Sequence, residues 1–562
     1  MAFLKTKIVC TLGPASSTPE VILQMIQNGM RVARLNFSHG DYAFHAGLIR
    51  KVREASLASG TDITILQDLQ GLKVRLGKLK EGRMLLGVGA TVTLLEGAES
   101  SEEGVLPVAQ RDFAEVAQPG TVLLLRDGEI KLEVTERLSA ERLKARVVWG
   151  GEVASYHGVN IHGTSRELPF FTEKDRADLQ FGLEQGVDVV ALSFIRNATD
   201  VLSVRVFLES VGKSVPLIAK IERQEAVDKI DEILREADGV MIARGDLGLE
   251  VPQARLPLIQ KSLISRAREV GRAVITATQM LESMVNNPQP TRAETADVAN
   301  AILDGTDAVM LSAETAIGKY PVEAVKVLAA VAIETESVFS QKREVRPLRD
   351  SVTDAISRAA VDIAVHLNAK AIVAPTSSGY TARMMSRFRT PLIIGACSPH
   401  LRIRRFLNLC WACYPLEIPD SDNTDETITM SIAALEKAGV VKCGDLVVVT
   451  AGVPSGISGT TNLLKVHFLA DIVARGAGLG SGIAFAKVGE NAVYMDTLPE
   501  KAGKDDRFYL VRDKSAATLR RAKDLGLTGI FGIKEIQPLK AGDEVTLHFD
   551  TGLIYRGYVG KS

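Results

Sequence analysis

PLIAKIERQEAVDKIDEILREADGVMIAR, residues 216–244, holds two apolar runs separated by a segment of helical period. The first run, PLIAKIE at 216–222, reads as a buried strand, and GVMIAR at 239–244 reads as a second. Strand, helix and strand in that order make one parallel βα unit. The same rhythm extends upstream through KIVCTL (7–12), RVARLNF (31–37), DITILQDL (62–69) and DVVALSF (188–194). It extends downstream through AVITAT (273–278) and DAVMLS (307–312). Eight such units between residues 5 and 340 predict a closed (β/α)8 barrel of the TIM type over an open sheet, because a helical stretch follows every strand but one without a break.

The break comes after the third run. From 71 to 167 the text alternates in the manner of β-strands and carries a hairpin signal, VLLLRDGEIKLEV at 122–134, with Asp127 and Gly128 expected at the turn. This predicts a small β domain inserted into the barrel, which occupies 1–70 and 168–345. A new series follows: TDAISRAAVDIAVHLN as helix, KAIVAP as strand and TSSGYTARMMSRF opening a helix, a doubly wound α/β domain over 346–472. Residues 473–562 turn glycine-rich and β-like and form an extra C-terminal β-rich module.

Bulk composition sets outer limits. A chain of 562 residues has room for three or four domains at roughly 150 residues each. With 67 Lys+Arg against 68 Asp+Glu, the net charge of -1 gives no field to gather nucleic acid or an anionic membrane, so any anion is caught locally. No stretch is apolar enough for a signal peptide or a membrane span, which predicts a soluble, cytoplasmic protein. The five cysteines fit reduced, mostly buried thiols; Cys410 and Cys413 form a CxxC without a second ligand pair and are assigned to core packing.

Function is sought where a barrel keeps it, at the C-terminal ends of its strands. Strand two ends at Arg34, Asn36 and Ser38, strand three at Asp68, and strand five at Lys220 and Glu222. Strand six runs into Arg244, Gly245 and Asp246, strand seven into Thr278, and strand eight into Ser312 and Glu314. Lys220 and Glu222 share one face of their strand, and charges buried there need partners or a purpose. Convergence from six strands points to a site. Glu222 and Asp246, on neighbouring strands, offer carboxylate oxygens suited to Mg²⁺ or Mn²⁺. Gly245, expected just before a turn, offers backbone N–H to an anion, and Arg34 and Lys220 add positive charge.

Several stretches resemble pyruvate kinase: KTKIVCTLGPAS, RVARLNFSHG, LIAKIERQEAV, DGVMIARGDLGLEVP, and the unbroken block from ATQMLESM to SAETAIGKYP. The resemblance covers roughly residues 1–470. It implies phosphoryl transfer from phosphoenolpyruvate to ADP, giving pyruvate and ATP, with Lys220 stabilising the transferring group and Glu222 and Asp246 holding the divalent ion. It further implies Arg34 on the phosphate, Gly245 and Asp246 on the substrate carboxylate, and Thr278, Ser312 and Glu314 in protonation of the enolate. Asn36, His39 and Arg75 match its nucleotide side. The region that binds K⁺ in many members maps to Asn36, Ser38, Asp68, Leu69 and Lys73. Here DLQGLKVR replaces the usual DTKGPEIR, and the ammonium of Lys73 implies activity without K⁺. Leu72 replaces a proline, and His157 a nucleotide-contacting lysine.

The same resemblance makes Thr376, Ser377, Ser378, Gly379 and Thr381 an effector-phosphate loop for a sugar phosphate or AMP. It also makes the inserted β domain a small β-barrel lid and implies an allosterically regulated homotetramer. The C-terminal module resembles the swivelling phosphohistidine domain of phosphoenolpyruvate-using enzymes, with Ala517 where the histidine would stand. His548, the module's only histidine, lies in a strand-like run. Two alternatives are weighed: a metal-dependent lyase or aldolase on a related barrel, and a non-catalytic phospho-metabolite sensor.

Overall fold

The computed structural model describes residues 3–72, 74–110, 112–126, 128–162, 170–339, 351–452, 461–470, 472–498, 507–535 and 537–557. Eight parallel strands close into a barrel: β1 (Lys7–Thr11), β2 (Met30–Asn36), β3 (Thr64–Asp68), β4 (Val189–Leu192), β5 (Leu217–Ile221), β6 (Gly239–Ala243), β7 (Ala273–Ala277) and β8 (Ala308–Leu311). Each pairs with its sequence neighbours, and β1 closes on β8 in the register Lys7↔Ala308 to Cys10↔Leu311. Every residue of β1, β3, β5, β6 and β7 is buried, as parallel strands covered on both faces require. Local chemistry fixes where the covering helices start. Thr18, Asp41, Thr172, Asn197 and Thr291 cap them, Thr172 and Thr291 within reciprocal capping boxes closed by Asp175 and Glu294.

Between β3 and β4 the chain builds a separate β structure. Six strands pair in the order Val159–His162, Val122–Leu125, Ile130–Arg137, Arg142–Trp149, Thr91–Glu96 and Val105–Val108, beside a ribbon of Arg83–Leu86 with Gly151–Ala154. Its own core includes Phe113, Leu123, Leu132 and Val147. The expected hairpin is present, but Leu125 pairs with Ile130, so its loop spans four residues, 126–129. Gly128 has φ +87° there, and Asp127 lies outside the described residues.

The chain divides into two compact units: Met1–Val345 with Leu401–Cys413, and Arg346–His400 with Tyr414–Ser562. In the second, Ala371–Pro375 is the middle strand of five, parallel to Ile393–Ser398 and to Leu446–Gly452, and Thr461–Phe468 adds an antiparallel edge. Among the described residues the C-terminal module is a mixed seven-stranded sheet with one helix, Ala516–Asp524, on a core that includes Val473, Leu510, Ile530 and Leu547. Cys10, Cys397, Cys410 and Cys413 are buried, and Cys443 is exposed. No described helix is long and apolar enough to cross a membrane.

Candidate active site

Four ionic side chains from three barrel strands form one buried chain of alternating sign. Arg34, at the end of β2, donates from Nε to Asp68 Oδ2 at 2.7 Å, with Nη2 also 2.7 Å from that oxygen, and its Nη1 donates to Thr11 Oγ1 at 2.8 Å. Asp68 Oδ1 lies 3.3 Å from Lys220 Nζ, which in turn lies 2.9 Å from Glu222 Oε1. Lys220 also donates to Ser193 Oγ at 2.7 Å, and that hydroxyl donates to the Leu69 carbonyl at 2.7 Å. Glu222 stands one residue past β5, where its Oε2 accepts the Phe194 N–H at 2.7 Å. Phe194 has φ +58°, an unusual conformation for a residue with a side chain.

Burial would lower the Lys220 pKa, but Asp68 and Glu222 outweigh it and hold the ammonium well above its ordinary range. Burial would raise Asp68, yet Lys220 and Arg34 keep its carboxyl below the usual range. Glu222 moves the other way: burial pushes its pKa up, Lys220 opposes, and the nearby Asp246 carboxylate pushes it further up. Two acids that repel one another in a desolvated mouth form a donor set that a hard divalent cation fits. Among the described residues no cluster of three or more His, Cys, Asp or Glu offers a fuller cage. Mg²⁺ needs none, since it keeps waters and substrate oxygens in its shell.

Asp246 and Gly245 sit in a short helix, Arg244–Glu250, where a turn was expected. The Gly245 N–H donates to Thr278 Oγ1 at 2.8 Å, and Thr278 Oγ1 donates to the Ala277 carbonyl at 2.6 Å. Thr278 and Gln279 both lie in the left-handed region, at φ +69° and +53°. Glu314 accepts from Leu281 N at 3.0 Å and Ser312 N at 2.7 Å, bracing the segments that follow β7 and β8. Ser312 Oγ is buried with no hydrogen-bond partner among the described residues.

On the other side of the mouth, Asn36 Oδ1 accepts from Ser38 N at 3.1 Å, and His39 is exposed. The His39 carbonyl lies 2.9 Å from His45 Nε2. Lys174 reaches the Phe37 carbonyl at 3.0 Å, adding a cation beside this stretch. Arg75, at the start of the inserted β structure, donates to the Tyr156 carbonyl at 3.2 Å, and His157 Nδ1 accepts from Ala154 N at 3.1 Å. Lys73 lies outside the described residues.

In the second unit, Gly379 at φ +77° opens the helix Tyr380–Ser386, and Ser377 is exposed. Thr376 N donates to the Cys397 carbonyl at 2.8 Å. Thr381 is buried, its hydroxyl 2.9 Å from that of Thr461. Ala517 is exposed in the first turn of the helix capped by Ser515, while His548 is paired into the sheet opposite Ile483 and Leu553.

Comparison with known proteins decides the family. A family model of the pyruvate kinase barrel domain matches residues 3–325, and one of the pyruvate kinase alpha/beta domain matches residues 354–467. The chain belongs to the pyruvate kinase family. The pyruvate kinases of Sporosarcina psychrophila and Geobacillus stearothermophilus are each 41% identical over 99% of this chain and 99% of their own. Pyruvate kinase 2 of a Synechocystis strain is 42% identical over 98% of this chain and 97% of its own. These matches run through the C-terminal module as well. The protein is therefore an enzyme, a phosphotransferase of pyruvate kinase type.

Sequence reasoning missed Ser193, Thr11, the Phe194 N–H and the bracing part played by Glu314. DVVALSF does place Ser193 at the end of a barrel strand, so the strand-end rule could have found it.

Proposed function

We propose that the barrel mouth transfers the phosphoryl group of phosphoenolpyruvate to ADP, giving pyruvate and ATP, as a step of glycolysis. The observation that carries this reading is the buried Arg34–Asp68–Lys220–Glu222 chain ending beside Asp246. Glu222 and Asp246 would hold Mg²⁺ or Mn²⁺, which when bound supplies charge neutralisation at the enolate and phosphoryl oxygens. Lys220 spends its three N–H donors on Ser193, Glu222 and Asp68. With Glu222 holding the ion, the donor now on its Oε1 would be available to a phosphoryl oxygen. Arg34 has five N–H groups and makes three contacts, so about two N–H groups remain for the same phosphoryl oxygens.

The Gly245 N–H and the Thr278 hydroxyl now satisfy one another and the Ala277 carbonyl. A substrate carboxylate with the Asp246 backbone beside it would take both donors. Thr278 then stands where a proton reaches the enolate, with Ser312 Oγ as the partner for a relaying water. Glu314 keeps the two loops in register through its backbone contacts. Asn36, His39 and Arg75, with Lys174, flank the nucleotide, and the inserted β structure acts as a lid that excludes water.

Regulation by a phosphorylated metabolite is proposed at Thr376–Thr381. Ser377, Ser378 and Gly379 are its leading contacts, because the Thr381 hydroxyl is committed to Thr461. Lys73 would supply the charge otherwise brought by K⁺. The chain is proposed to work as a cytoplasmic homotetramer. Ala517 leaves the C-terminal module without a phosphorylatable histidine at that position. A sensor or a lyase is the less favoured reading, since Lys220, Glu222, Asp246 and Thr278 are all retained.

The test is a coupled assay of ADP-dependent pyruvate formation, in which Lys220→Met and Glu222→Gln each fall by about two orders of magnitude or more. Retention of more than about a tenth of activity by either variant would remove the phosphotransfer assignment of this chain of charges. A K⁺-free buffer should support turnover; a loss beyond about a hundredfold on omitting K⁺ overturns the Lys73 reading.

A further inference from the structure

Thr278 and Gln279 are consecutive residues in the left-handed region, and Thr278 is β-branched. Such residues are strained and persist only where their surroundings over-determine them. One side chain bridges the two. Arg244, buried at the end of β6, donates from Nε to the Thr278 carbonyl at 3.2 Å and from Nη2 to the same carbonyl at 2.7 Å. Its Nη2 also donates to the Gln279 carbonyl at 3.1 Å. Successive carbonyls point to one side when the residue between their peptide planes, here Gln279, leaves the strand conformation, and the bonds to the Thr278 carbonyl fix the peptide plane that follows Thr278, so the planar guanidinium matches this backbone and not an extended one. The remaining nitrogen, Nη1, donates to Asp297 Oδ2 at 2.6 Å and lies 3.5 Å from Gln260 Oε1. Asp297 belongs to the helix Arg292–Asp304, so the clamp is anchored outside the mouth. The next residue, Gly245, holds the Thr278 hydroxyl at 2.8 Å. Arg244 and Gly245 thus fix the backbone and the hydroxyl of Thr278 from one two-residue stretch.

We infer that Arg244, oriented by Asp297, is a positioning residue that aims the Thr278 hydroxyl for the proton-transfer half of the reaction. Its N–H groups are all directed at protein acceptors, which leaves none assigned to substrate or nucleotide. The inference rests on the reading of Thr278 given above. Behind the guanidinium lies a cavity of about 350 Å³, lined in part by Arg244, Leu256, Gln260, Gln279 and Asp297. A truncated side chain at 244 would open into it.

Two measurements test this on the full-length enzyme: steady-state kinetics, and exchange of pyruvate methyl protons with solvent deuterium. Arg244→Lys keeps a cation opposite Asp297 but cannot span two carbonyls. It should melt close to the parent, keep KM for ADP within about threefold, and lose at least about tenfold in both kcat and proton exchange. Arg244→Ala should lose about a hundredfold, and non-denaturing guanidinium, entering the cavity, should restore at least about tenfold of that. Full kcat in Arg244→Lys, or unchanged proton exchange while kcat falls, overturns the clamp. If Arg244→Ala does not fold, Arg244→Lys decides alone. Thr278→Val separates the two layers of the argument: if it keeps full proton exchange, the role of Thr278 fails. If it loses exchange while Arg244→Lys does not, only the clamp fails.

Discussion

Asp68 is the carboxylate between the two cations of the mouth, and its energetics can be read without substrate. It is buried, and burial pushes its pKa up, but Lys220 and Arg34 together hold it below the usual carboxylate range. A folded pKa below the unfolded value near 3.9 means that the ionised form adds stability above about pH 4. That contribution is lost as pH falls through the folded pKa. Asp68→Asn preserves shape but leaves two buried cations short of one negative charge, a change that typically costs about 3–5 kcal/mol. The variant should therefore melt well below the parent at neutral pH, and the gap should narrow as both are acidified below about pH 4. Paired thermal melts across pH check it; a gap of constant size would show that Asp68 acts by shape alone. Lys220, Glu222, Asp68 and Arg244 were legible in the sequence because charge at the end of an apolar strand is conspicuous, although the hold of Arg244 on two carbonyls was not. Thr11 and Ser193 were not singled out, since a hydroxyl reads alike whether it packs or positions, and only its partners in space separate the two.

Elements were most legible where they are regular. All eight barrel strands coincide with apolar runs, because a strand buried on both faces tolerates little else. The helix Arg244–Glu250 was not predicted: seven residues with two glycines carry no amphipathic period, and it exists as the first turns after β6. The four-residue loop at 126–129 escaped for a related reason, since Asp-Gly fits both a tight turn and a longer loop. One helix–strand contact gives a direct test of how closely the barrel wall is packed. Gly182, on the helix Glu173–Glu184, lies so near Gln67 of β3 that an added Cβ would fall inside contact distance of its carboxamide. That carboxamide is fixed by a 2.6 Å bond from Nε2 to the Asp178 carbonyl. Gly182→Ala would gain up to about 1 kcal/mol of helix propensity, yet overpacking should cost about 1–3 kcal/mol. Net destabilisation is expected, relieved by more than about 1 kcal/mol when Gln67→Ala is added. A double-mutant cycle on thermal or denaturant unfolding reads this coupling, and additive effects would show that Gly182 and Gln67 are not in contact.

At the scale of the whole chain, periodicity marks elements but not which core each one joins. Leu401–Cys413 lies in sequence within the α/β series and yet belongs to the unit containing the barrel. Its attachments are polar groups at the N-terminal ends of barrel strands: Trp411 N donates to Asp307 Oδ1 at 2.8 Å, Arg405 pairs with Asp188 at 2.9 Å, and Lys7 Nζ donates to the Cys413 carbonyl at 2.7 Å. Lys7 is the costly member. Burial lowers its pKa from 10.5 to about 8, against smaller contributions from neighbouring groups. A base whose folded pKa lies below its unfolded value binds fewer protons when folded, so stability rises with pH between the two values and the penalty is complete below the lower one. Lys7→Met removes the ammonium and its hydrogen bond together, leaving a chain of similar length in the same pocket. The melting temperature of the variant relative to the parent should therefore be most favourable near neutral pH and decline steadily from about pH 8 to about pH 10. Melts of the two proteins side by side cancel the titration of the other lysines. A difference that does not change over that interval would mean that Lys7 stays charged in the folded chain and that the Cys413 carbonyl solvates it fully.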